Sequence, residues 1–288
     1  FLNIFCALLF YLMTTYLFNS KIAIAATASF LFFSTGSLPS WASATYSPWL
    51  YPVNFMQATF YLGIIVYSRA FIKPGNFRFL CAGFITGIVF LGHTAPAAIL
   101  LLIMALLLLR EIFVIYKSRF RLVGTQFIKY GFIFGISFLF ASLPLLFFVV
   151  GKYKLHMVNF ATYEFTDPLF AIRNFPALLM ENLSFAFIIS AIGFYFVYFK
   201  YTQNIKRDLI LTWFIVSLFL FAYTTMVPFV RFNYNIVFPG LVPSFHFFFY
   251  LKALQAVLFG VGFCGLLDII LKKFVNNPRG FRVLYKHD

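Results

Sequence analysis

The sequence has little charge. Only 10% of its 288 residues are Asp, Glu, Lys or Arg, and only seven of those are acidic, whereas 63% are hydrophobic and 23% are aromatic. An average soluble domain carries about 25% charged residues, because a globule must cover its surface against water with polar groups. The shortage of charge therefore excludes a soluble enzyme, a disordered chain and a coiled coil. The long apolar runs indicate a helical membrane protein with many spans.

The sequence also lacks the common chemical motifs. Its three cysteines, Cys6, Cys81 and Cys264, lie in apolar runs without close spacing, which argues against a disulfide framework and a metal knuckle. It has no phosphate-binding glycine loop, no paired-histidine zinc helix and no nucleophile-elbow sequence. The net charge of +15 does not indicate a nucleic-acid partner, because basic residues collect in the cytoplasmic loops of membrane proteins.

Nine apolar stretches approach the length that crosses about 30 Å of hydrocarbon. They are approximately residues 1–18, 22–38, 55–72, 79–93, 95–109, 127–150, 183–199, 209–229 and 248–271. The sequence from Gly92 to Pro96 is a turn signal that separates the fourth stretch from the fifth. We therefore expect an all-α fold, a polytopic transmembrane helical bundle of about nine spanning helices that forms a single transmembrane domain over 1–288.

The distribution of basic residues predicts the orientation of these helices. The loops on one side contain seventeen Lys and Arg residues and those on the other side four, with Lys252 just inside the last stretch. The positive-inside rule then places the N-terminus outside and the C-terminus in the cytoplasm. Because the chain begins at Phe1 within an apolar run and shows no signal-peptide pattern, it is expected to be a fragment that works with the upstream part of the same chain. The expected location is a prokaryotic cell membrane.

Three outer loops, 39–54, 151–182 and 230–247, are long enough to carry function. The first is uncharged and resembles an aromatic belt at the interface. The second is predicted to form a partly helical cap. It contains three candidate catalytic carboxylates, Glu164, Asp167 and Glu181. A carboxylate there could act as a base or hold a divalent metal ion. Alternatively, Asp167 starts a turn and Glu181 complements a helix dipole.

Histidines and cations on the outer side suggest a different kind of site. His93, His156 and His246 all map there, but their separations show no metal-ligand spacing, and no metal site is predicted. Arg231 ends the eighth stretch and Lys252 begins the ninth, so we expect both to bind an anionic lipid phosphate with His246, and His93 to assist at the outer face. In the alternative interpretation, the long side chains of Arg231 and Lys252 extend to the membrane surface, where their charged groups contact ordinary lipid headgroups.

Glycines within the predicted spans are interpreted as helix-packing positions. The two pairs at four-residue spacing are Gly83 with Gly87 and Gly131 with Gly135, and a third group lies in the last span, Gly260, Gly262 and Gly265. Small residues at such spacing let helix backbones approach closely in membranes. None of them is given a catalytic role.

Two segments resemble parts of GT-C-type integral-membrane glycosyltransferases and their relatives. They are Gly92-His93-Thr94-Ala95-Pro96 before a Leu-rich span, and Pro243-Ser244-Phe245-His246-Phe247 leading into Tyr250-Leu251-Lys252 and Gly260-Val261-Gly262. The resemblance implies transfer of a sugar from a polyprenyl-phosphate donor on the outer membrane face, with a hallmark carboxylate in a first outer loop. In this chain that loop would precede Phe1, so the resemblance places no catalytic carboxylate here, and a non-catalytic relative fits the sequence too.

Two other functions fit the same composition. One is a transporter or flippase for a lipid-linked or anionic solute, and the other is a polymerase-like or structural membrane subunit. A transporter should carry ionisable residues near the middle of its spans and broken helices in matching halves. The predicted spans contain few such charges, which favours the enzyme.

Overall fold

The computed structural model describes residues 2–32, 52–117, 121–152, 154, 185–200, 204–236, 238, 242 and 244–275. This part of the chain forms helices and contains no strand. The helices are α1 (Leu2–Leu17), α2 (Ser20–Phe32), α3 (Pro52–Ile72), α4 (Asn76–Gly92), α5 (Thr94–Lys117), α6 (Arg121–Leu146), α7 (Phe185–Lys200), α8 (Asn204–Tyr234) and α9 (Phe245–Val275). The all-α prediction is thus confirmed for the described residues, and each helix falls on one of the nine apolar stretches.

Local signals set several of the helix ends. Asn19 lies between α1 and α2, and its side-chain oxygen accepts a hydrogen bond from the backbone N–H of Ile22 at 3.0 Å. This bond satisfies one of the backbone donors that the first turn of α2 leaves free. Pro144 lies inside α6, and a π-helical turn, Phe147–Lys152, follows it. Pro144 removes one backbone donor from α6 and crowds the turn that precedes it.

Four of the helices are long and apolar enough to cross a membrane, judged by length and composition. They cover Thr94–Phe113, Thr125–Lys152, Ile205–Tyr234 and His246–Lys272, and four other described helices are apolar but shorter. Large apolar side chains stand exposed on their surfaces, among them Phe113, Phe132, Ile136 and Phe140. In water such a surface would cause association, and it is typical of helices that face lipid.

Helices that are two apart in the chain run in the same direction. Along α1 and α3 the contacts occur in matching order: Cys6 with Gln57, Phe10 with Tyr61, and Tyr16 with Arg69. Along α4 and α6 they are Phe79 with Phe127, Gly83 with Phe134, and Gly87 with Ala141. Along α7 and α9 they are Ser190 with Gln255, Gly193 with Leu258, and Phe196 with Gly265. The chain therefore passes back and forth through the bundle.

The bundle has two chemically different ends. The basic end holds the C-terminal turns of α1 and α3 and the first turn of α8, where Lys206 and Arg69 both contact Tyr16 and where Asp208 pairs with Arg110. The histidine end holds the connection between α4 and α5 and the first turn of α9, where His93 contacts His246. The helix from His93 to Arg110 rises about 25 Å, so the two ends lie on opposite sides of the apolar layer.

Close helix packing is confirmed at most of the predicted glycines. A Cβ atom at Gly83 or Gly87 would overlap α6, and one at Gly260 or Gly262 would overlap α2 or α7. The same prediction is wrong for α6, because a Cβ at Gly135 would meet nothing within 4 Å and one at Gly131 only a Leu108 methyl at 3.5 Å. The spacing of Gly131 and Gly135 repeats that of Gly83 and Gly87, but these two glycines make no close approach to a neighbouring helix.

The predicted outer loops differ from the described structure at their edges. The loop predicted at 230–247 is shorter in the structure, because α8 continues through Pro228 to Tyr234 and α9 already begins at Phe245. The last residues of 39–54 start α3, and the first two of 151–182 end the π-helical turn of α6. Most of 39–54 and 151–182, including the predicted cap, lies outside the described residues.

Candidate functional site

His93 forms the connection between α4 and α5. Its backbone is extended, with φ −160° and ψ 131°, and its N–H donates to the carbonyl of Val89 at 2.9 Å. Its side-chain Nδ1 accepts a hydrogen bond from the backbone N–H of Ala95 at 3.1 Å, in the first turn of α5. His93 therefore ends one helix and caps the next, which explains how a single residue reverses the chain direction at the turn predicted for 92–96.

The capping bond fixes the chemical state of the His93 ring. Because Nδ1 accepts a hydrogen bond, the ring proton of the neutral form lies on Nε2. Burial also disfavours the charged form and lowers the pKa of His93 from 6.5 to about 4. At neutral pH His93 thus offers a neutral Nε2–H donor rather than a positive charge.

His246 lies in the first turn of α9 and meets His93 across the bundle. The two ring centroids are 4.6 Å apart with the planes tilted by 52°. Sequence reasoning placed both residues on the same side of the membrane but gave no reason for them to touch. In the described ranges no group of three or more His, Cys, Asp or Glu side chains gathers in a metal-binding arrangement. The Nδ1 lone pair of His93 accepts the Ala95 N–H and is therefore not available to a metal ion in this arrangement.

Lys252 lies deeper along α9. It follows His246 by six residues, which corresponds to about 9 Å along a helix axis, and it is only 4% exposed. Its neighbours along the chain include Phe248 and Phe249, which are also buried, and the Phe248 ring packs against Phe221 of α8 at 5.4 Å. A buried ammonium group is costly unless anions or polar groups compensate it.

Arg231 is not close to this pair. It is exposed and lies in the last turn of α8. The contact of Phe221 with Phe248 puts those two residues at the same level. Arg231 follows Phe221 by ten residues along α8, toward the histidine end, and Lys252 follows Phe248 by four residues along α9, away from that end. The two cations are therefore about 20 Å apart along the helix axes. The two cations therefore cannot hold one phosphate group. The sequence suggested a common level because α8 was expected to end near residue 229.

The other predicted site residues, Glu164, Asp167, Glu181 and His156, lie outside the described residues. Among the candidates that the structure describes, His93 and His246 are brought into contact, and Lys252 lies deeper along α9.

A group of buried polar side chains was missed by sequence reasoning. Gln57 and Tyr61 of α3, Tyr250 of α9 and Trp213 of α8 are at most 1% exposed and surround Phe60, whose ring lies 5.2 Å from Trp213 and 4.6 Å from Tyr250. The Gln57 amide oxygen accepts a weak hydrogen bond from the Cys6 thiol at 3.3 Å. The available signal was the presence of Gln57 and Tyr61 four residues apart within an apolar run, because that spacing puts both on one helix face.

Comparison with known proteins does not assign a family. No protein-family model matches the chain, and no curated protein matches it significantly.

Proposed function

We propose that the chain is the membrane-embedded part of a glycosyltransferase-like protein that binds a polyprenyl-phosphate sugar donor at the outer membrane face. The observation that carries the proposal is the burial of Lys252 near the end of an apolar bundle, below the His93–His246 pair. An ionisable residue at such a depth in a membrane protein is a functional-site candidate. A polyprenyl phosphate would bring an anionic group to this end of the bundle while its tail stays in the bilayer.

The proposed orientation follows from the two ends of the bundle. We place all nine helices across a prokaryotic cell membrane, with the basic end in the cytoplasm, the histidine end outside, the N-terminus outside and the C-terminus inside. The alternating helix directions and the collection of Arg69, Arg110 and Lys206 at one end support this arrangement. The helices that are shorter than a full bilayer thickness would be accommodated by local thinning and by their neighbours.

The three site residues would act differently on a donor. Lys252 supplies a point charge for the phosphate oxygens. His93 supplies a neutral Nε2–H donor, and the adjacent His246 ring lies between the outer end and the lysine along α9. The catalytic carboxylate that sugar transfer requires would come from Glu164, Asp167 or Glu181, and a divalent metal ion would also depend on those carboxylates.

A transporter or flippase for a lipid-linked or anionic solute is the second candidate. The buried polar group of Gln57, Tyr61, Trp213 and Tyr250 favours it, because its four residues bring polar atoms into the centre of the bundle. For a lipid-linked solute, both functions bind a lipid phosphate. They differ in whether the sugar is transferred to an acceptor or the intact molecule crosses the bilayer, and assays of sugar release and lipid translocation in proteoliposomes separate them.

Binding of polyprenyl phosphate tests the proposal. We would reconstitute the full-length protein in nanodiscs and measure the affinity of the parent, Lys252→Met and Lys129→Met. Lys129 is an exposed lysine of α6 and serves as the matched control. Since a charge-assisted hydrogen bond contributes about 1.5–3 kcal/mol, Lys252→Met should weaken binding by about tenfold to a hundredfold, and Lys129→Met should not. Met also fills the buried space, so this variant should fold. Equal affinities for both variants would contradict the proposed site.

A further inference from the structure

Three helices converge on the ring of Tyr16 at the basic end. Tyr16 lies in the last turn of α1, Arg69 in the last turn of α3 and Lys206 in the first turn of α8. The Arg69 guanidinium carbon and the Lys206 ammonium nitrogen each lie 5.2 Å from the centroid of the Tyr16 ring. We call these three residues the Tyr16 cluster.

Lys206 also has a structural role in this cluster. Its ammonium group donates to the backbone carbonyl of Tyr16 at 2.9 Å. That carbonyl lies in the last turn of α1, where backbone carbonyl groups have no intrahelical N–H donor. Cations are favourable at such helix ends. The bond uses one of the three ammonium hydrogens and explains why a lysine is useful there. It does not explain why a second cation, Arg69, contacts the same ring.

Several other charged residues near this end form ion pairs. Arg110 contacts Glu111 at 2.6 Å and Asp208 at 2.5 Å, and Arg207 contacts Asp208 at 3.2 Å. Among the residues that the structure describes, neither Arg69 nor Lys206 makes an ion pair with a carboxylate. Two positive charges that share one aromatic ring repel each other, and an anion between them would remove that repulsion.

The surface below the cluster is apolar and exposed. Ile4, Leu8 and Leu12 precede Tyr16 at four-residue intervals, so they form one stripe along the same face of α1. They are 71%, 49% and 44% exposed. The stripe runs from the cluster toward the histidine end and thus into the apolar layer of the bundle. A molecule with a phosphate at Arg69 and Lys206 could lay an acyl chain along it.

We propose that the Tyr16 cluster binds the phosphate of an anionic phospholipid at the membrane surface of the basic end. Arg69 presents a planar set of N–H donors that suits phosphate oxygens, and Lys206 adds a point charge with its two remaining hydrogens. Both cations also make cation–π contacts with the Tyr16 ring. Clusters of basic residues at helix ends attract anionic headgroups by the same electrostatics. This site lies at the opposite end of the bundle from Lys252, so it is independent of the proposed donor site.

The test measures lipid binding by the full-length protein after its bound lipid has been removed with detergent. Native mass spectrometry would follow titration with phosphatidylglycerol, with phosphatidylcholine and with inorganic phosphate. The variants are Arg69→Gln and Lys206→Gln, and the control is Lys73→Gln, an exposed cation four residues beyond Arg69. Each cluster variant should lower phosphatidylglycerol affinity about fivefold, whereas the control should leave it unchanged and phosphatidylcholine binding should not respond.

Arg69→Gln gives the decisive result, because the Arg69 side chain is exposed and lies over the Tyr16 ring, so its loss should not impair folding. Thermal unfolding of each variant checks this point. Parent-like phosphatidylglycerol affinity in both cluster variants would overturn the proposal. An equal loss in Lys73→Gln would assign the effect to general surface charge. Competition by inorganic phosphate as strong as that by the lipid would show an anion site that does not recognise a lipid.

Discussion

The rings of His93 and His246 lie 4.6 Å apart, although they belong to a helix connection and to the start of the last described helix. This contact ties the α4–α5 turn to α9 at one end of the bundle. Lys252 follows His246 on the same helix, about 9 Å further along its axis. Contact between two such distant positions is a consequence of the back-and-forth path of the chain.

We predict that His93 makes the protein less stable in mild acid. The pKa of His93 in the folded protein is lowered to about 4, while in the unfolded chain it is about 6.5. The unfolded state therefore binds more protons between these values, so stability is complete above about pH 6.5 and falls as the pH drops toward 4. His93→Asn keeps an oxygen that can cap α5 but does not titrate.

Thermal unfolding in detergent at pH 7 and at pH 4.5 measures this effect in both proteins. The parent should lose on the order of 2–3 kcal/mol more than His93→Asn over this range, at 1.36 kcal/mol per pKa unit. An identical pH dependence in the two proteins would show that burial of His93 does not control its protonation.

We predict that positions 73 and 154 are accessible from opposite sides of the membrane. Both residues are exposed. Lys73 follows α3 at the basic end, and Lys154 follows the π-helical turn of α6, which runs away from that end. In a background without native cysteines, Lys73→Cys should react with a membrane-impermeant thiol reagent only from the cytoplasmic side, and Lys154→Cys only from the outside. Labelling of both from one side would refute the proposed nine-span arrangement.

A Cβ atom at Gly193 should destabilise the contact of α7 with α9. Because the added carbon would overlap the carbonyl oxygen of Leu258, the backbones must separate, and overpacking of this kind costs about 1–3 kcal/mol. The matched control is Gly135→Ala, where nothing lies within 4 Å of the added atom and alanine should be neutral or slightly stabilising. Thermal unfolding of Gly193→Ala and Gly135→Ala compares them. A smaller loss in Gly193→Ala than in Gly135→Ala would refute the close approach.

The sequence predicts the helices well because their signal is local. Long apolar runs interrupted by charged or turn residues mark each of the described helices, and the turn at Gly92 and His93 separates α4 from α5 as expected. Helix ends depend on more than the apolar run. The eighth stretch was expected to end near residue 229, but α8 continues through Pro228 to Tyr234, since a proline disturbs only the preceding turn and the surrounding chain can keep the helical path.

The site is predicted less completely because it depends on packing between helices. The depth of Lys252 in an apolar run identified it as a candidate, and it is indeed buried. The placement of Arg231 failed because a few extra helical residues move a side chain by a full turn or more. The ring contact of His93 with His246 has no signal in their spacing. Gly131 and Gly135 show likewise that a packing motif does not say whether a neighbouring helix lies against it.

Photo-cross-linking tests the central claim most directly. The full-length protein in nanodiscs would be irradiated with a polyprenyl-phosphate analogue that carries a photoreactive group beside the phosphate, and labelled peptides would be identified by mass spectrometry. We expect labels in the turn around His93 and in the first two turns of α9, between His246 and Lys252, and their loss when unlabelled polyprenyl phosphate is in excess. Labels that avoid both segments, or that unlabelled lipid does not displace, would contradict it.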